Sequence, residues 1–500
     1  MENDYIDKDF TNEFSNFYSK TFRSRYGYCK RLHFFKESFD DIDDFIENFN
    51  SEKITYLGFL VKRPLNVGKV GRTLIVPKEI ENFFYLCCIK REVHLLGKTI
   101  IAVGTPFIEQ DSMVMTCAQA TMWMFSKYMH FANALPRYLP YEITDKATNA
   151  FIQLSRAIPS NGLTTQQIMS GLSKMGYFPL LYTKPHKITC LEDKDLYKRD
   201  SLLWQPIETI YHYIESEIPV IILFREHAAI VIGHKIFDDT KELNLPEVVA
   251  EQNVLSSSFL TDAFIVHDDQ EGIYRLLPCT EASRETLAKK HGGLLPREGS
   301  RYNDILSDVL EIIVPLPDKI YLSGEDVLTT INKILFNPDQ GINFNLIDLL
   351  LESAKKGNKQ AAELIYSLDN KYKNPVLIRT YCMKSSEFKK KIKSNSSIND
   401  EVKQDYLRTG MPRYIWVVEI STLSMFLETG KICGEIVFDS TSNQFDFIGS
   451  ILTIHIPGCF HYHDSNHPER SKINDDVPEE ETYIILNRNN TDKCYIVSEK

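Results

Sequence analysis

Residues 109 to 129 read EQDSMVMTCAQATMWMFSKYM, a stretch that opens polar and turns helical at Cys117. Ala118, Met122, Phe125 and Met129 recur at helical spacing, so an apolar stripe begins next to the cysteine itself. A thiol at a helix N-terminus meets the positive end of the helix dipole, which favours the thiolate. An ordinary thiol, with a pKa of about 8.5, is mostly protonated at neutral pH. Nucleophilic chemistry at Cys117 therefore also needs a neighbouring base.

Working downstream, Thr164 and Gln167 form a capping box, Ile168, Leu172 and Met175 make a second helical stripe, and Gly176 stops it. FPLLY follows as a strand. A third helix, from Ile207 to about Ser216, ends before Pro219, which opens the apolar strand PVIILF. Arg225 and Glu226 make a short turn, HAAIVIG returns as a strand, and AFIVH runs into the turn DDQEG. Helices followed by strands with short turns predict an α+β domain, an antiparallel sheet packed against the early helices.

In this order His227 opens one strand and Asp268 closes the next, and antiparallel neighbours bring those positions to one sheet edge. An imidazole there can take the thiol proton and return it to a leaving amine. A carboxylate on its other nitrogen fixes tautomer and orientation. The oxyanion of an attacked amide needs donors, for which the Cys117 backbone N–H and the Gln110 side chain are the candidates. His234, at the far end of the same strand, competes with His227, and one strand cannot use both at a single site.

Taken together, EQDSMVMTCAQATMWM, GLTTQQIMSGLSKMGY, IPVIILFREHAAIVIG and FIVHDDQEG resemble the papain-like peptidases of the bacteriocin-leader (double-glycine) type, over roughly residues 95 to 285. The resemblance implies a papain-like domain with Cys117 as nucleophile, His227 as base, Asp268 as orienting carboxylate and Gln110 as oxyanion donor. Two positions depart from the family pattern. The family's glutamine stands six residues before the cysteine, where this chain has Asp111, and Asp269 replaces the proline of the Asp-Pro-x-x-Gly turn. Transporter-type members carry fused membrane and ATP-hydrolysing domains that this sequence lacks, so leader-peptide export is not the expected job.

At 500 residues the chain exceeds one ordinary core. Texture divides it into a helical segment, 1–53, in which Phe39, Ile42, Phe45, Ile46 and Phe49 keep helical spacing; a β-rich segment, 54–94, expected to join the catalytic sheet; the papain-like hydrolase domain, 95–285; a helical region, 286–410; and a β-rich region, 411–500. Hydrophobic residues at 43% and charged residues at 25% indicate globular protein. The net charge of -11 argues against nucleic acid as a partner, which needs a basic surface. MENDYIDKDF has no secretory pattern, and the apolar run Ile218 to Phe224 falls far short of the roughly 20 residues that span a bilayer. The expectation is a soluble, cytoplasmic protein without a membrane partner.

Ten cysteines without a Cys-x-x-Cys pair predict reduced, mostly buried thiols and no thiolate zinc site. Cys459, His461, His463 and His467 match no standard ligand spacing and predict a polar loop. No metal or cofactor is expected. Arg63 and Arg72 are assigned to a solvated hairpin and Trp416 to sheet core. The expected function is a thiol hydrolase whose partner is a protein or peptide substrate, cleaved at a peptide or isopeptide amide. The alternatives are an inactive papain-like scaffold that binds protein, or a deamidase or transglutaminase using the same triad. Oligomeric state is not legible.

Overall fold

The helix that begins at Cys117 runs to Asn133, and every side chain from Ala118 to Met129 is buried. One apolar stripe would have left the opposite face in water; burial on all sides makes this the central helix of the core. Its far side is covered by the N-terminal segment. Asp9, on the helix Lys8–Asn16, accepts from Trp123 Nε1 at 3.2 Å and pairs with Lys127 Nζ at 3.0 Å, so the polar members of the helix are also satisfied. These relations come from a computed structural model describing residues 1–22, 25–49, 54–149, 158–185, 204–238, 254–297, 305–336, 346–370, 373–443, 449–462, 472–474 and 484–485.

Against the helix lies an antiparallel sheet in the order Gly272–Pro278, Thr261–Asp268, Ala228–Ile236, Val220–Leu223, Glu311–Leu316 and Phe178–Thr183. The helix Thr165–Lys174, capped by Thr164, and the helix Pro206–Glu215 stand where their stripes and caps predict. Helices packed with antiparallel sheets make the chain α+β. The sheet departs from the expected boundary of 285. Glu311–Leu316 inserts between Val220–Leu223 and Phe178–Thr183, pairing on both edges, and its side chains from Ile312 to Leu316 are buried. A five-residue apolar run, Ile312 to Leu316, pairs wherever two open strand edges face it, which its own sequence does not specify.

The β-rich segment 54–94 joins this sheet less than expected. Tyr56–Lys62 and Val70–Ile75 instead complete a separate four-stranded sheet with Glu2–Tyr5 and Cys29–Phe35, which also adds strands to the segment expected to be helical. Ile89–Leu95 and Lys98–Gly104 form a hairpin of their own. Only Phe83–Phe84 pairs with the central sheet, against His234 and Lys235. That junction depends on Gly233, where an added Cβ would stand 2.1 Å from the Phe84 carbonyl oxygen. Gly233→Ala is therefore expected to cost about 1–3 kcal/mol, read as a lower urea midpoint; an unchanged midpoint would remove the junction from the account of stability.

The C-terminal sheet runs Leu255–Ser256, Val376–Lys384, Tyr414–Thr422, Gly434–Asp439, Ile451–Ile456, Cys459–Tyr462 and Lys472–Asn474. It begins before 411 and borrows a short strand from inside the expected catalytic domain. Trp416 is fully buried and donates to the Leu322 carbonyl at 2.8 Å. Arg379 ties this sheet to the end of the helix Pro206–Glu215, pairing with Glu419 at 2.8 Å and donating from Nε to Glu215 at 2.7 Å. His234 binds the same Glu215 through Nε2 at 2.5 Å, so it belongs to this buried junction. Arg63 and Arg72 correct the expectation of a solvated hairpin. Arg63 is 2% exposed and pairs with Glu13, while Arg72 binds Asp7 at 2.9 Å. His463 and His467 lie outside the described residues. Among those residues no helix is long and apolar enough to cross a membrane.

Candidate active site

The turn before Cys117 is organised by Asp111. Its Oδ1 accepts the backbone N–H groups of Met113, Val114 and Met115 at 2.9, 2.9 and 2.8 Å, and Tyr18 donates its hydroxyl to Oδ2 at 2.6 Å. Four donors on one buried carboxylate hold a tight loop that includes Ser112 at φ 59°. Gly68 presses on the same turn; at φ 66° a Cβ there would fall 2.2 Å from the Gln110 carbonyl oxygen. At the helix start, Gln119 Oε1 accepts from the Thr116 backbone N–H at 3.2 Å, closing the cap.

Cys117 is half-buried, whereas Cys29, Cys87, Cys279, Cys382, Cys433 and Cys459 are buried free thiols. Exposure sets it apart among the described free cysteines. Cys88 is disulfide-bonded, which corrects the expectation that the thiols are all reduced.

His227 closes a two-residue turn, its carbonyl accepting from Phe224 N–H at 2.9 Å, and immediately precedes the strand Ala228–Ile236. Antiparallel pairing of that strand with Thr261–Asp268 brings His227 Nε2 to 2.7 Å from Asp268 Oδ2. The ring also hydrogen-bonds with Cys117. Burial alone would lower the imidazole pKa; the hydrogen bonds to Asp268 and Cys117 outweigh it and push the value up to about 10. Asp268 Oδ1 accepts from the backbone N–H groups of Gln270 and Glu271 at 2.8 and 3.0 Å. Burial opposes its charge, but His227 and these amides hold its carboxyl below the usual range.

The two neighbouring aspartates are thereby distinguished. Asp269 Oδ1 stands 3.9 Å from His227 Nε2, too far to be the orienting partner, and burial pushes its carboxyl up to about 7. Gln110 is half-buried; its backbone N–H faces Asp269, and its side-chain amide has no hydrogen bond to Cys117 among the described residues. Cys117, His227 and Asp268 are thus assembled, while Gln110 is not joined to them through its side chain. The family's glutamine position, Asp111, is turned inward with its carboxylate occupied.

Two residues escaped sequence reasoning. Tyr18 reaches the site from 93 positions upstream, a contact no local pattern encodes. Gln270 places Nε2 3.5 Å from His227 Nδ1, on the ring edge away from Asp268. Its place in the turn after Asp268 was the available signal. With the geometry of the site in view, comparison with protein-family models and with curated proteins finds no match for this chain.

Proposed function

We propose that this chain is a papain-like thiol hydrolase that cleaves a peptide or isopeptide amide through an acyl-enzyme on Cys117. The observation that carries this is one imidazole bonded to a helix-start thiol and, on Nε2, to a buried carboxylate at 2.7 Å. With the imidazole pKa pushed up to about 10, the ring is an imidazolium at neutral pH, and the attacking form of Cys117 is the thiolate beside it. The thiolate adds to the amide carbon, and the Cys117 N–H at the helix start receives the oxyanion. The C–N bond then breaks as His227 gives its Nδ1 proton to the departing amine. A water, deprotonated by the now neutral ring, releases the acid and restores the pair. Asp268 stays ionised throughout and holds the ring. A protein or peptide is the substrate class this chemistry suits.

Alkylation by iodoacetamide tests the reading. Cys117 is expected to react at pH 6, where an ordinary thiol is almost wholly protonated, and His227→Ala is expected to lose that low-pH reactivity. Hydrolysis, which requires the imidazolium as acid, is expected to fall as pH rises through about 10. Equal labelling of Cys117 in the wild type and His227→Ala at pH 6 would leave an inert scaffold that binds protein as the better account.

A further inference from the structure

We propose that His227, Asp268 and Asp269 form a three-ligand site for a divalent cation of the zinc class, whose binding halts turnover at Cys117 by replacing the Nε2 proton of His227. One ligand atom from each residue lies within 4.8 Å of the others. Nε2 is 2.7 Å from Asp268 Oδ2 and 3.9 Å from Asp269 Oδ1. Ligands on a tetrahedral zinc, at about 2.0–2.2 Å from the metal, sit about 3.4 Å apart, so the present spacings straddle the required one. The two carboxylate oxygens lie within 4.8 Å of each other, so closing the site draws them together by up to about 1.4 Å.

Asp269 supplies the independent reason. It is 2% exposed, and neither carboxylate oxygen has a donor at hydrogen-bonding geometry. Its own backbone amide and that of Gln110 are the dipoles that favour its charge. The orienting role is already filled by Asp268, so a second buried carboxylate beside the same ring has no task in the triad. One imidazole and two carboxylates suit zinc better than magnesium, which demands near-octahedral oxygen ligation and dehydrates reluctantly. Asp268, with its side chain 12% exposed, is the side from which an ion enters.

Coordination through Nε2 releases that proton to solvent and leaves the Nδ1 hydrogen facing Cys117. The ring then cannot alternate between neutral base and imidazolium acid, so turnover stops while the positive charge near sulfur remains. The site shares His227 with the proposed hydrolase, but metal binding needs no substrate, so the two can fail separately.

The test is zinc titration of the full chain carrying Cys117→Ala, by calorimetry in two buffers of different ionisation heat, with magnesium as control. The expected result is one zinc per chain, proton release on binding, and a raised Tm. Adding Asp269→Asn or His227→Gln, each checked for native near-ultraviolet circular dichroism, is expected to weaken binding at least ~10-fold. Zinc bound equally well with Asp269→Asn in place overturns the proposal, as does loss of binding on Cys117→Ala alone, which would assign the metal to sulfur and imidazole. Amide hydrolysis insensitive to bound zinc also overturns it, whereas zinc binding through Asp269 in a chain that hydrolyses nothing would sink the hydrolase and keep the site.

Discussion

Cys117→Ala and His227→Ala are each expected to lower amide hydrolysis by at least ~10⁴-fold, because nucleophile and base act as one unit and removing either stops the same step. The double variant is expected to lose little more than either single one, the signature of residues sharing one proton. His234→Ala provides the contrast. Bound to Glu215 in the junction with Arg379, it lies outside the chemistry. Assay of the four variants on a peptide-amide substrate checks this. Additive losses in the double variant, or a His227→Ala enzyme within tenfold of wild type, would refute the shared proton.

The second large effect is structural. Asp111→Ala is expected to lower stability by about 3–5 kcal/mol, as for removal of one partner from a buried charged network. The alanine strands the N–H groups of Met113, Val114 and Met115 and the Tyr18 hydroxyl together. Since these hold the loop that leads into Cys117, the folded fraction is also expected to turn over more slowly at unchanged KM. Urea unfolding gives the first quantity and saturation kinetics the second. A stability within about 0.5 kcal/mol of wild type would mean that water replaces the carboxylate.

Much of the site's order was legible because it is written in local signals. Thr164 with Gln167, Gly176, Pro219 and the Arg225–Glu226 turn place helices and strands by capping, chain stiffness and turn chemistry, all short-range effects. A short turn makes Val220–Leu223 and Ala228–Ile236 sheet neighbours, whereas residues 237–260 separate Ala228–Ile236 from Thr261–Asp268, so the meeting of His227 with Asp268 needed the later strand to return to the open edge. The turn residue Asp269 could be seen to be unusual, though not that it would be buried without a hydrogen-bond donor.

Long-range choices were not legible. Nothing around Tyr18 announces Asp111, nothing around Glu13 announces Arg63, and Glu311–Leu316 reads as a plain apolar run until two strand edges are available to it. A carboxylate beside a candidate nucleophile has the same local appearance whether it faces substrate or turns inward to cap backbone amides. The sequence by itself determined the helices that begin at Cys117, Thr165 and Pro206 and the hairpin of Val220–Leu223 with Ala228–Ile236, because hydrophobic period, caps and two-residue turns act over a few residues. Only the tertiary structure decided that Asp111 faces inward, that the N-terminal segment encloses the central helix, and which sheet each distant strand joins. Those outcomes depend on which charges and open edges meet after collapse, and burial makes an unmatched partner too costly to persist.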